Sequence, residues 1–185
     1  ITDQAQHTET SNLSLPVAQN TLIIEAIPEA GSLRQGVENI LYVMLSYPDG
    51  SPAEGTLTLS SLYYGGTPRI IETGPYGLAE FHFVPSGAYD GFNIQAEDWQ
   101  GNQTAQEFYF EGEYATQSVL LRPDQPVYQV GQTMNLTILT SESAGNVYLD
   151  IIREGQTVST RSVKAEGKQT QVAVDLTPDL FGTLE

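Results

Sequence analysis

Short runs with a period of two dominate the hydrophobic pattern of this chain. Leu57 and Leu59 fall on one face of an extended segment, with Thr56 and Thr58 on the other. Ala79, Phe81 and Phe83 alternate with Glu80 and His82. Phe92, Ile94 and Ala96 form a third such row. No long stretch repeats at 3.6 residues, so helix is expected to be scarce. Strands are predicted over Leu22–Ile27, Asn39–Tyr47, Gly55–Tyr63, Arg69–Thr73, Leu78–Val84, Phe92–Asp98 and Thr104–Glu111. The count of about seven matches an immunoglobulin-like antiparallel sandwich, so the expected fold class is all-β. Ile40–Leu45 is apolar throughout, which predicts a strand covered on both faces or packed on a neighbouring domain. Tyr47-Pro48-Asp49-Gly50 suits a type I turn, and Trp99-Gln100-Gly101-Asn102 suits a hairpin with Gly101 at positive φ.

The pattern then recurs at a fixed offset. Pro28 and Pro123 each follow an apolar strand, Gly36 and Gly131 each sit before a second one, and Leu41 and Val43 match Leu136 and Ile138. Gly50 and Gly145 are expected in the turns that follow. Each pair is 95 positions apart. Further strands are predicted around Val147, Leu149 and Ile151, over Val158–Val163 as a polar edge, and around Val172, Val174 and Leu176, with a turn at Arg153-Glu154-Gly155-Gln156. Leu13, Leu15 and Val17 alternate as Phe108 and Phe110 do. Residues 1–19 therefore read as the closing strands of a preceding sandwich, 20–113 as a complete one, and 114–185 as a copy that stops short of anything equivalent to Phe92–Gly112. Such a copy leaves inner-face apolar groups uncovered and expects further strands, from the same polypeptide or another.

Charge narrows the function classes. Seven basic residues stand against 23 acidic ones, a formal charge of −16, which repels phosphate backbones and argues against nucleic-acid binding. There is no cysteine, hence no disulfide, thiolate metal site or thiol nucleophile. No apolar run reaches the length of a membrane helix, so membrane insertion by this segment is not expected, and no basic-then-apolar leader opens the chain.

Catalytic chemistry finds little support. The histidines, His7 and His82, fall in separate units without a nucleophile near them in sequence. Asp90 and Asp98 bracket one strand, and Asp49 and Asp98 occupy turns expected at one end of the sandwich; turn stabilisation accounts for these positions more simply than glycoside hydrolysis. No D-x-D-x-D-G loop is present for calcium, and Tyr64-Gly65-Gly66-Thr67 lacks the lysine and helix of a phosphate cradle. No catalytic, cofactor-binding or metal-ligating residue is assigned, and no cofactor is expected. Asn12-Leu13-Ser14, Asn102-Gln103-Thr104 and Asn135-Leu136-Thr137 are glycosylation acceptors only in a glycosylating pathway. Trp99 with Tyr63, Tyr64 and Tyr76 suggests a sugar platform, with the tyrosines expected at one edge. Aromatics of sandwiches more often cover core ends or domain junctions, so no oligosaccharide affinity is expected.

The stretch Leu121-Arg122-Pro123-Asp124-Gln125-Pro126-Val127-Tyr128-Gln129-Val130-Gly131-Gln132-Thr133 resembles the opening of a macroglobulin domain, as found in the alpha-2-macroglobulin and complement-component family. Gln125 and Val130 depart from the lysine and proline of its D-K-P-x-Y-x-P-G-type pattern. Tyr47-Pro48-Asp49-Gly50-Ser51-Pro52-Ala53 and Gly77-Leu78-Ala79-Glu80-Phe81 resemble further stretches of that family. The resemblance implies the end of the third macroglobulin domain, the whole fourth and most of the fifth. It further implies a scaffold role in a large secreted, periplasmic or surface protein that traps proteases, with neighbouring macroglobulin domains as partners and target proteases met through the full-length protein. The family's bait segment and C-G-E-Q thioester motif are not in this chain, and the missing cysteines point to a bacterial-type member. The competing readings are a spacer in a bacterial adhesin stalk and an accessory carbohydrate-binding module.

Overall fold

The computed structural model describes residues 10–13, 17–85, 87, 89–113 and 117–184. Their regular structure is all strand apart from one 3₁₀ turn at Pro178–Leu180, so the fold is all-β with antiparallel sheets packed as sandwiches. Eight strands make the first pack: β1 (Ile23–Pro28), β2 (Leu33–Arg34), β3 (Asn39–Ser46), β4 (Gly55–Ser61), β5 (Arg69–Glu72), β6 (Leu78–Phe83), β7 (Tyr89–Asp98) and β8 (Gln103–Glu113). One sheet runs β1-β3-β6 and the other β2-β8-β7-β4-β5. Leu41, Val43 and Leu45 of the first face Leu57, Leu59, Ile94 and Phe92 of the second in one buried core. Phe81, Phe83 and Phe92 close one region of it through edge and stacked ring contacts at 5.1–5.3 Å between centroids.

β3 explains the unbroken apolar run. Its inner residues fill the core, while Tyr42 and Met44 on the other face are half-buried and Ile40 is buried. β2 is an addition that two residues cannot announce by periodicity; it pairs parallel to the end of β8, Leu33 opposite Gly112, and inserts Leu33 into the core.

Five strands follow: β9 (Val119–Pro123), β10 (Thr133–Thr140), β11 (Ala144–Arg153), β12 (Gln156–Glu166) and β13 (Gln169–Asp175). β9-β10-β13 form one sheet and β11-β12 a hairpin, around a small core of Leu136, Leu149, Ile151, Val174 and Leu176. The predicted repeat appears as register. Pro28 pairs Leu41 as Pro123 pairs Leu136, Ala26 pairs Val43 as Leu121 pairs Ile138, and Ile24 pairs Leu45 as Val119 pairs Thr140. The same correspondence extends to the chain beyond: Glu29 N–H donates to Ile40 O at 2.9 Å, and Asp124 N–H to Asn135 O at 3.0 Å.

The second pack differs where two strands are lacking. In the first, β4 pairs β5 on one side and β7 on the other. β11, which follows the second pack's central strand as β4 follows β3, pairs β12 along its length and otherwise makes only the single bridge Arg153–Leu184 among the described residues. Ile24, inner-facing in β1, is 3% exposed, whereas its counterpart Val119 is 43% exposed and inner-facing Leu121 44%. Across from them stands only the two-stranded β11–β12 hairpin, which is too narrow to cover these apolar groups.

Two expectations need correction. Gly145 lies inside β11, at a positive φ of 153°, because the turn has moved to residues 141–143. The closing strands expected in residues 1–19 are not seen in their described part, 10–13 and 17–19, where Leu13 and Val17 are exposed with no sheet to bury them; the rest of that segment lies outside the described residues.

Candidate functional site at the junction of the two packs

The most highly organised polar cluster joins the two packs. Arg122 projects from β9 at the position that Ile27 holds in β1. Its Nε donates to Glu29 Oε2 at 2.9 Å and its Nη2 to Glu29 Oε1 at 2.8 Å, a forked geometry in which both carboxylate oxygens are used. Glu29 sits in the turn after β1 with only 9% of its side chain exposed, and the same Oε1 accepts Ile40 N–H at 2.6 Å. Arg122 Nη1 and Nη2 also reach the Glu38 side chain and carbonyl at 3.3 Å each. The Glu29 hydrogen bonds hold the guanidinium above its ordinary pKa. Burial pushes the Glu38 carboxyl up, but hydrogen bonds from His82 and Arg122 outweigh it and hold the group below its usual range.

Beside the charges lies an apolar patch in which Val37, ahead of β3, meets Leu120 of β9 and Leu139 of β10. Leu120 and Leu139 are outer-face residues of the second pack, so this contact occurs between packs rather than within one. Gly36, at φ +76°, passes so close that a Cβ there would stand 3.3 Å from Ser141 Cβ. The arrangement positions one sandwich against the other and offers no reactive group. Sequence reasoning missed it because Arg122 and Glu29 are 93 residues apart. The available signal was a charge, one of only seven basic residues, at a repeat position that is otherwise apolar.

The residues considered for chemistry fall elsewhere. His82 is exposed on β6 between Glu38 and Glu80, at 3.4 and 3.5 Å, and His7 lies outside the described residues. Asp90 and Asp98 both face inward at opposite ends of β7, roughly 26 Å apart at about 3.3 Å per residue, too far for a glycosidase pair. Asp98 and the Asp49 turn do share one end, since Tyr47 Oη donates to Asp98 Oδ2 at 3.1 Å. Asp49 accepts from Ser51 N–H at 2.9 Å and Oγ at 2.6 Å in the turn role expected of it. Tyr64-Gly65-Gly66-Thr67 is a connection between β4 and β5. Two sequon amides already have partners: Asn102 Nδ2 donates to Asp98 Oδ2 at 2.8 Å and Asn135 Nδ2 to Asp124 Oδ2 at 3.0 Å. Tyr63 and Tyr64 meet edge-on at 6.4 Å, but Tyr76 lies at the other end of the sandwich, beside Gly77 and its contacts with Leu45 and Pro52. Among the described residues no group of three or more His, Cys, Asp or Glu could hold a metal ion, and no helix is long and apolar enough to cross a membrane.

No protein-family profile matches the chain, and no curated protein matches it in sequence. Solved structures similar to it include bacterial alpha-2-macroglobulins. The native Escherichia coli protein aligns over 85% of this chain at 12% identity and a TM-score of 0.39; its trypsin-activated form aligns over 85% at 14% and 0.37. The Salmonella protein, as mutant Y1175G, aligns over 86% at 10% identity and 0.32. The chain spans about 15% of the length of the E. coli protein and 13% of the Salmonella one.

Proposed function

We propose that the chain is a structural scaffold segment of an alpha-2-macroglobulin-like protein that traps or inhibits proteases. The segment itself supplies no catalytic site, bait region or thioester. It divides into a whole macroglobulin-like domain (20–113) and a second one lacking its final strands (114–185), with residues 1–19 as the tail of a preceding domain. The observation that carries the reading is the junction: two sandwiches of one register, joined by a shielded, forked Arg122–Glu29 pair. A scaffold must transmit position between domains, and a bidentate guanidinium–carboxylate pair over an apolar patch does so. The sequence resemblance at Leu121–Thr133 begins on β9, the strand that carries Arg122 into this contact.

Its partners are then neighbouring macroglobulin domains of a parent chain, and proteases through the full-length protein, in an extracellular, periplasmic or cell-surface setting. The test uses the full-length natural protein mixed with trypsin. Trapping predicts that cleavage of a large protein substrate falls while cleavage of a small chromogenic peptide persists, and that the 185-residue chain alone changes neither. Undiminished cleavage of the large substrate contradicts the proposal and favours a stalk.

A further inference from the structure

The outer face of β4, β7 and β8 carries a groove of about 570 Å³, within the roughly 300–1,000 Å³ range of small-molecule sites. Two cross-strand rows form its floor. Thr56, Glu97 and Gln103 stand opposite one another in the first row, and Thr58, Gln95 and Ala105 in the second. Ala105 is the short member, so the floor dips there. Gln103 Nε2 donates to Glu97 Oε2 at 2.8 Å, leaving Glu97 Oε1 and Gln103 Oε1 for a ligand. Trp99, 65% exposed, lines the groove from the β7–β8 turn. That turn is held from within. Asp98 Oδ1 accepts the N–H groups of Gln100 and Asn102 at 2.9 Å each, and Oδ2 accepts Asn102 Nδ2 at 2.8 Å. The indole is thus presented on a rigid support rather than covering a core end.

We infer that this groove binds a neutral saccharide, with Trp99 as the stacking platform and Gln95, Glu97 and Gln103 as the hydroxyl partners. The chemistry of the lining selects the ligand class. No lysine or arginine lines the groove and Glu97 makes it negative, which disfavours phosphate, sulfate and uronate groups. A purely apolar ligand strands the amides and hydroxyls of the floor. A pyranose satisfies both features, resting its C–H face on indole while its hydroxyls exchange hydrogen bonds with carboxamides and a carboxylate. The site lies at the end of the sandwich away from Glu29 and Glu38, so the second pack does not cover it.

The experiment titrates the 185-residue chain, observed by NMR, with cellohexaose, xylohexaose, mannohexaose and chitohexaose. At least one is expected to saturate with a Kd on the order of 1 mM, shifting the Trp99 indole N–H and the Gln95 and Gln103 side-chain amides. Trp99→Ala is expected to weaken binding about tenfold or more, and Gln95→Ala to weaken it with an unchanged Tm. Both side chains are exposed, so neither substitution threatens folding. No shift with any of the four sugars overturns the inference. So does binding that survives Trp99→Ala, or shifts that map outside the groove.

Discussion

At the residue scale, the two carboxylates at the ends of β7 experience opposite surroundings. Asp90 is buried, and burial raises its pKa against the single opposing hydrogen bond from Gly91 N–H at 2.9 Å. A raised folded-state value means that folding favours the protonated form. Asp90 therefore costs nothing in acid and subtracts stability as pH rises through the folded value. Asp90→Asn is expected to raise Tm at pH 7, with the gain vanishing below the ordinary carboxylate range; thermal melts across pH check it, and an unchanged or lower Tm at pH 7 speaks against it. Asp98 is held low, chiefly by the Asn102 side chain and with help from its other turn partners. Its contribution is present above the unfolded value and is lost as pH falls through the folded one. Asp98→Asn should accordingly lower Tm at neutral pH, with the deficit closing in acid. Arg122→Ala leaves the shielded Glu29 without its charge partner, at a cost of about 2 kcal/mol by chemical denaturation.

Elements were legible wherever period-two alternation met a turn residue. β4, β6 and β7 show the predicted inward and outward faces, and Gly101 takes the positive φ, 83°, that its hairpin requires. β11 and β12 turn at Glu154-Gly155, both at positive φ, as the Arg153–Gln156 signal implied. β2 was not legible, since its place is set by a parallel contact with a strand about 80 residues later rather than by its own pattern. The junction was equally hidden, because pairing across packs leaves no local period. One close approach permits an element-scale prediction. A Cβ on Gly55 would stand 2.4 Å from Glu97 O across the β4–β7 pair. Gly55→Ala should cost about 3 kcal/mol by forcing these strands apart. A calorimetric loss below a tenth of that would show that the strands yield freely.

For the whole molecule, the repeat fixes two sandwiches of one design, and the difference between them lies in coverage. The same register that buries Ile24 leaves Val119 and Leu121 exposed, because the five-stranded sheet of the first pack is matched by a two-stranded hairpin in the second. If the junction sets the angle between packs, Arg122→Ala should broaden their relative orientation, seen as divergent residual dipolar couplings for the two packs while each retains its own chemical shifts. A single common alignment tensor in the variant would contradict that role.

Amide hydrogen exchange, followed residue by residue on the intact chain, bears most directly on the claim that the second pack is the first one's design without its covering strands. Protection is predicted to reach the global limit in β3, β4 and β7 and to fall well short of it in β11 and β12, a hairpin that no further strand flanks among the described residues. Equal protection in β4 and β11 would mean that the second core is sealed by its own residues, and the account would be wrong.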